Sequence, residues 1–199
     1  MFIIAAVRRL NFLTLNFELI NLELIMITRA FNFKKWIDEN RHLLKPPVGN
    51  QCVYKEAENI IVMVVGGPNA RKDYHYNETE EFFYQLEGDI VVRIQEDGKA
   101  VDVPIKEGEI FLLPAKTPHS PARPTNTVGL VIETKRNEIE NDGLLWFCEK
   151  CNNKLFEKYF KLTNIEKDFL PVFKEFYGSL EHRTCKKCNH VMEADSKYV

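Results

Sequence analysis

Two groupings of side chains in this sequence could hold a metal ion. The first is His75 and His119, with a carboxylate at Glu80 or Glu81 shortly after the first histidine. Two imidazoles and one carboxylate leave open positions on one face of a divalent cation, where a small substrate and O₂ can bind together. Fe(II) suits that set best, while the ligand chemistry alone also admits other divalent ions. In an extended run, Glu81, Phe83 and Gln85 share one face and Glu80, Phe82, Tyr84 and Leu86 the other, so alternation does not choose between the two glutamates. The second grouping is Cys148-x-x-Cys151 and Cys185-x-x-Cys188, separated by 33 residues. Two such pairs supply four thiolates to a tetrahedral iron or zinc ion and leave no position for substrate, so a structural role is expected. Cys52 stands outside any metal spacing and is expected to be a buried or partly buried bystander; His42, His182 and His190 lack comparable partners and are expected to be structural or exposed.

These groups need a scaffold, and the residues around them describe a β one. Short apolar or alternating runs follow one another: IIVMVV from Ile60, EFFYQL from Glu81, IVVRIQ from Ile90, AVDVPI from Ala100, IFLLP from Ile110 and VGLVIET from Val128. Turn residues such as Gly66-Gly67-Pro68, Glu96-Asp97-Gly98 and Lys106-Glu107-Gly108 separate them. Roughly eight short strands at about ten-residue spacing indicate an all-β sandwich or barrel. Upstream, Phe33, Trp36, Ile37 and Asn40 recur at helical spacing, which predicts a helix capped by Asn32, running through Leu44 and stopped by Lys45-Pro46-Pro47. Beyond Asn137 come the first cysteine pair, a strand-like KLFEKYFKL, and a helix in which Pro171 suits the first turn, Phe173, Phe176 and Tyr177 share a face, and Gly178 ends the run.

The composition bounds the partners. At 199 residues with 45% hydrophobic and 28% charged side chains, the chain suits one globular domain with a small appendage. A net charge of −2 with interspersed signs gives no broad positive field, so nucleic acid is not expected as a partner. Residues 1–25 are apolar but interrupted by Arg8, Arg9, Glu18 and Glu23, which argues against a membrane span; their arginines follow the apolar stretch, which argues against a secretory signal. They are expected to be an N-terminal extension, loosely ordered or not native, with Met26 as the natural start. Paired cysteines without a secretory signal point to a reducing, cytoplasmic setting.

Wider spacing then selects Glu81. His75, five residues, Glu81, six residues and Gly88, followed by Gly108, five residues, Pro114, four residues and His119, resembles the paired motifs of the cupin superfamily. Asn77 stands where many cupins carry a further histidine, leaving three protein ligands. The segments LLKPPVGN from Leu43, VVGGPNARKDYH from Val64, EEFFYQLEGD from Glu80 and EGEIFLLPAKTPHSPARP from Glu107 narrow the likeness further. From about Phe31 to Val191 the chain resembles the 3-hydroxyanthranilate 3,4-dioxygenase family, including the cysteine tail of its bacterial-type members.

That resemblance implies a cupin barrel at 26–137 as catalytic domain and a small rubredoxin-like, four-cysteine tail at 138–199 packed on it. It implies Fe(II) on His75, Glu81 and His119, and a second iron or zinc ion on Cys148, Cys151, Cys185 and Cys188. The reaction implied is ring opening of 3-hydroxyanthranilate by O₂ to 2-amino-3-carboxymuconate semialdehyde. That product closes to quinolinate, a precursor of NAD, within tryptophan breakdown through kynurenine. The family's substrate-side charges fall on Arg71, Arg123 and Glu133. A guanidinium at Arg123 would grip the substrate carboxylate bidentately. Glu133 would accept hydrogen bonds from the substrate amino or hydroxyl group, and Arg71 would stabilise negative charge developing on oxygen. Asn50, Val48, Phe83, Pro121 and Ile165 fit the family's pocket positions. A homodimer without membrane attachment is expected. The competing readings are a cupin metalloenzyme with another small substrate and a non-enzymatic ligand-binding cupin.

Overall fold

Alternation along the strands decides where the core lies. The computed structural model describes residues 29–46 and 49–199; the extension expected at 1–25 lies outside the described residues. Within the compact unit Phe33–Val199 the strands are β1 (Asn50–Cys52), β2 (Ile60–Gly66), β3 (Tyr74–Tyr76), β4 (Glu81–Glu87), β5 (Ile90–Glu96), β6 (Lys99–Ile105), β7 (Ile110–Leu113), β8 (His119–Ala122), β9 (Val128–Thr134), β10 (Asp142–Phe147) and β11 (Lys154–Phe160). They form two antiparallel sheets, ordered β1-β2-β9-β4-β7 and β11-β10-β3-β8-β5-β6. Met63, Phe83, Val131 and Leu113 from the first sheet meet Ile90, Val92, Ile94 and Ile105 from the second in one apolar cluster. Burying these faces against each other is the main drive to close the sandwich. The β5–β6 hairpin turns through Asp97 and Gly98, with φ of 49° and 75°, the positive pair that a two-residue turn between twisted strands requires.

The helices differ from the sequence expectation at their ends. α1 (Phe33–Asn40) gives way to a 3₁₀ turn at Arg41–Leu43, closed by the Leu44 amide donating to the Arg41 carbonyl, so the α-helix stops short of Leu44. The following Lys45-Pro46 step disfavours further α winding. α1 lays Ile37, with Leu44 beyond it, on the outer side of β2 and β9 at Val64 and Val128. α2 (Ile165–Gly178) begins six residues before Pro171, which therefore sits inside the helix and not in its first turn. The Asn164 side chain accepts from the Lys167 amide, and the Asp168 carboxylate accepts from the amides of Thr163 and Asn164, both at 2.7 Å. This reciprocal cap fixes the start, and packing of Phe169, Val172, Phe173, Phe176 and Tyr177 against Leu144 and Trp146 carries the helix past the proline. Gly178 ends it as expected. α3 (Leu180–Arg183) is a single turn before the last cysteine pair.

The least anticipated element is β10. It pairs with β11 on one side and with β3 on the other, placing Leu144 opposite His75. The segment after Asn137 therefore continues the sheet that carries both histidines.

A candidate metal centre between the sheets

Strand pairing assembles the first grouping. His75 on β3 lies directly opposite His119 on β8, and their rings are 5.3 Å apart between centroids. Glu81 opens β4 in the facing sheet with 4% exposure, whereas Glu80 is exposed, so the inward glutamate is Glu81. One ligand atom from each of His75, Glu81 and His119 lies within 4.8 Å of the others. His119 Nδ1 faces the Thr117 carbonyl at 3.1 Å, and Nε2 is 3.0 Å from Glu81 Oε2. A ring that donates from Nδ1 to a carbonyl presents the Nε2 lone pair as a ligand. Burial alone would push Glu81 up and His119 down; their mutual attraction reverses both, holding the carboxyl below and the imidazole above their usual ranges. Asn77 is buried and its amide donates to Glu81 Oε2 at 3.4 Å. The donor set fits a small divalent cation with three protein ligands.

A charged network supports the trio; of its members, Glu133 is expected from the sequence, whereas Asp142 and Arg136 are not. His75 Nε2 is 2.6 Å from Asp142 Oδ2 on β10. Since an ionised carboxylate only accepts, Nε2 is the donor in this contact, which leaves Nδ1 as the ring atom available to a metal. Arg136 donates to both Asp142 oxygens at 2.9 and 2.7 Å, and to Glu133 Oε2 at 2.5 Å. Burial raises Asp142, but hydrogen bonds from His75 and Arg136 outweigh it and hold the carboxyl below the usual range. Glu133 sits opposite Glu81 across the β4–β9 pairing, and burial together with the Glu81 charge pushes its carboxyl up. The only sequence signal for Asp142 was the run Asp-Gly-Leu-Leu-Trp-Phe, whose apolar part suits a buried strand.

A cavity of about 120 Å³ opens beside the trio, lined also by Arg123, Glu133 and Phe169. Of the expected pocket residues, Asn50, Phe83 and Pro121 line it. Val48 and the side chain of Ile165 lie outside the described residues. Arg123 is 4% exposed, and its segment is fixed by reciprocal backbone bonds with Asn69 at 2.8 and 3.0 Å. Burial pushes its guanidinium down to about 10, with the Glu81 charge opposing, so it remains cationic at neutral pH. Among the described residues no carboxylate lies within ion-pair distance of it. Arg71 also lines the cavity, yet its guanidinium is taken by Asp73 at 2.9 and 2.5 Å and lies 5.3 and 5.2 Å from the ring centroids of Phe169 and Phe173. Phe169 itself, from α2, is 5.5 Å from the His75 ring. The tail thus supplies part of the wall.

The four cysteines gather separately, with Cys148 and Cys188, and Cys151 and Cys185, each 3.6 Å apart between sulfurs. The two knuckles repeat one design: Asn152 and Asn189, at φ of 55° and 58°, return their amides to the carbonyls of Cys148 and Cys185. Against burial, backbone amides of Cys188 and Lys187 pull the Cys185 thiol down, while against the Asn153 amide burial and the neighbouring sulfurs push Cys151 up, as expected of four thiols crowded at one point with the Cys185 sulfur best placed to be a thiolate. Cys52 only donates to the Tyr54 carbonyl at 3.4 Å.

Known proteins resemble this chain over most of its length. The family model described as 3-hydroxyanthranilic acid dioxygenase matches residues 25–177. A protein of Xanthomonas campestris pv. campestris (strain B100) named 3-hydroxyanthranilate 3,4-dioxygenase is 54% identical over 174 residues, covering 87% of this chain and 98% of that protein. One of the same name from Jannaschia sp. (strain CCS1) is 55% identical over 163 residues, covering 81% and 90%. Among solved structures, a cupin-2 domain containing protein from Shewanella frigidimarina aligns distantly, with a TM-score of 0.43, 16% identity, and coverage of 53% of this chain and 95% of that one.

Proposed function

The chain belongs to the 3-hydroxyanthranilic acid dioxygenase family, and from that membership we propose that it opens the ring of 3-hydroxyanthranilate with O₂ at Fe(II) held by His75, Glu81 and His119. The observation that carries the site assignment is that Arg123, a buried guanidinium with no carboxylate within ion-pair distance among the described residues, lines the same cavity as His75, Glu81 and His119. When bound, Fe(II) supplies the electronic coupling between an aromatic substrate and O₂.

The residues do the rest. Arg123 takes the substrate carboxylate through two parallel N–H donors and so fixes the ring's orientation. Arg136 holds Glu133 Oε2, leaving the other carboxylate oxygen to accept a hydrogen bond from the substrate amino or hydroxyl group. Phe83 and Phe169 give the cavity apolar surface that limits water beside the ring. Arg71 is neutralised by Asp73, which lines the same cavity, so its part is to offer N–H donors towards charge developing on oxygen and not to add net charge. A second iron or zinc ion on Cys148, Cys151, Cys185 and Cys188 serves the fold of the 138–199 segment, with 26–137 as the catalytic barrel. No helix among the described residues is long and apolar enough to cross a membrane; a cytoplasmic homodimer acting on 3-hydroxyanthranilate and O₂, without nucleic acid, is the working assembly, and light scattering tests its mass.

The reaction is tested by loading the protein with Fe(II) anaerobically, adding 3-hydroxyanthranilate and then O₂. One O₂ should be consumed per ring-opened product, which then closes to quinolinate. Oxygen uptake that does not depend on the substrate, or none, would contradict the assignment.

A further inference from the structure

A buried guanidinium usually rests on a protein carboxylate, because an unpaired charge away from water is costly. Near Arg123 the inward carboxylates are already engaged: Glu81 by His119 and Asn77, and Glu133 by Arg136. What touches Arg123 is a neutral amide. Gln85 lies on the same inward face of β4 as Glu81 and Phe83, and its Oε1 accepts from Arg123 Nη1 at 3.3 Å. The amide cannot turn round without loss, since Gln85 Nε2 donates to the carbonyls of Glu87 at 2.8 Å and Val128 at 3.2 Å. Two backbone acceptors therefore dictate that an oxygen faces the arginine.

Directly opposite Gln85 in the β4–β9 pairing is Gly129. A Cβ built there would stand 2.8 Å from Arg123 Nη1, 2.8 Å from Gln85 Oε1 and 3.4 Å from Arg123 Nη2. The Gly129 backbone is not in the left-handed region, so the strand conformation would accept any residue; an added Cβ would displace the ends of two flexible side chains, the Arg123 guanidinium and the Gln85 amide, and not the backbone. On the assignment of Arg123 to the substrate carboxylate, we propose that Gln85 and Gly129 are positioning residues: together they seat the guanidinium against a neutral acceptor, keep its charge free for an external carboxylate, and so set the preference for a carboxylate-bearing ring. A glutamate at 85 would supply an internal counter-ion, and a side chain at 129 would take the seat.

The test compares two ligands on the intact protein loaded anaerobically with Co(II): 3-hydroxyanthranilate, and 2-aminophenol, the same ring without the carboxylate. Calorimetric titration gives the ratio of their affinities for wild type, Gln85→Glu, Gly129→Ala and Arg123→Ala, with the visible cobalt spectrum checking that the metal centre is formed. The ratio should fall roughly tenfold or more in each variant, the size of a lost charge-assisted contact, while 2-aminophenol affinity changes little. Where Gln85→Glu does not assemble the centre, Gln85→Leu replaces it with the same expectation. A ratio kept in Gly129→Ala and in the Gln85 variant, or a fall shared equally by both ligands, overturns the seat while a fall in Arg123→Ala leaves the arginine's role standing. A ratio kept in Arg123→Ala overturns that role itself.

Discussion

At the scale of single residues, strand pairing brings His75, Glu81 and His119 together, with Asp142 set on His75 and Asn77 on Glu81. Two histidines and a glutamate within glycine-anchored motifs stand out in a sequence, and only the parity of Glu80 and Glu81 needed more than alternation to resolve. Asp142, Gln85 and Gly129 were not readable, because each acquires its role only when strands pair: Asp142 meets His75 across 67 positions. Their chemistry nevertheless makes specific demands. Asp142→Asn keeps the shape but removes the charge that holds His75 Nε2–H, and metal affinity should drop roughly 10- to 100-fold by competitive Co(II) titration, the usual effect of losing such a partner. Unchanged affinity would reduce Asp142 to a space-filling role. Glu81→Ala should abolish binding at the barrel site, whereas Glu80→Ala, altering an exposed side chain, should leave it intact.

At the scale of elements, the strands from Ile60 to Thr134 followed from period-two patterning and turn residues. β10 escaped because it is buried along nearly its whole length and shows no alternation. α2 was misplaced at its start because Pro171 is a strong local signal, while Asn164 and Asp168 act jointly and their cap is seen only once the turn is formed. That cap has a pH signature. Backbone amides of Asn164 and Thr163 hold the Asp168 carboxyl below its usual range. A depressed folded-state value means that the cap stabilises fully above the unfolded value of about 3.9 and loses its effect as pH falls through the folded value. Wild type should therefore melt above Asp168→Asn at pH 6, and the gap should close as pH drops below about 4. A gap that persists or widens in acid would show that the carboxylate is not the source.

At the scale of the molecule, the four-cysteine segment is tied into the barrel through the pairing of β10 with β3. β10 carries Asp142 to His75, α2 brings Phe169 into the cavity, and Phe169 and Phe173 flank Arg71. Cysteine pairs spaced for a metal made that cluster legible in sequence; its contribution to the wall was not, since nothing local records where α2 packs. The double substitution Cys148→Ser and Cys151→Ser should lower the thermal midpoint by roughly 5 °C or more, the scale of losing one to two kcal/mol from a domain of this size. An unaltered midpoint would separate the cysteine site from stability. The central claim is that one cavity holds both the metal and the anion receptor for the substrate. Anomalous diffraction at the iron edge, from crystals prepared anaerobically with Fe(II) and 3-hydroxyanthranilate, tests this most directly. The account predicts an iron peak bonded by His75, Glu81 and His119, with the substrate carboxylate on Arg123. Iron confined to the cysteines, or a carboxylate seated away from Arg123, would contradict it.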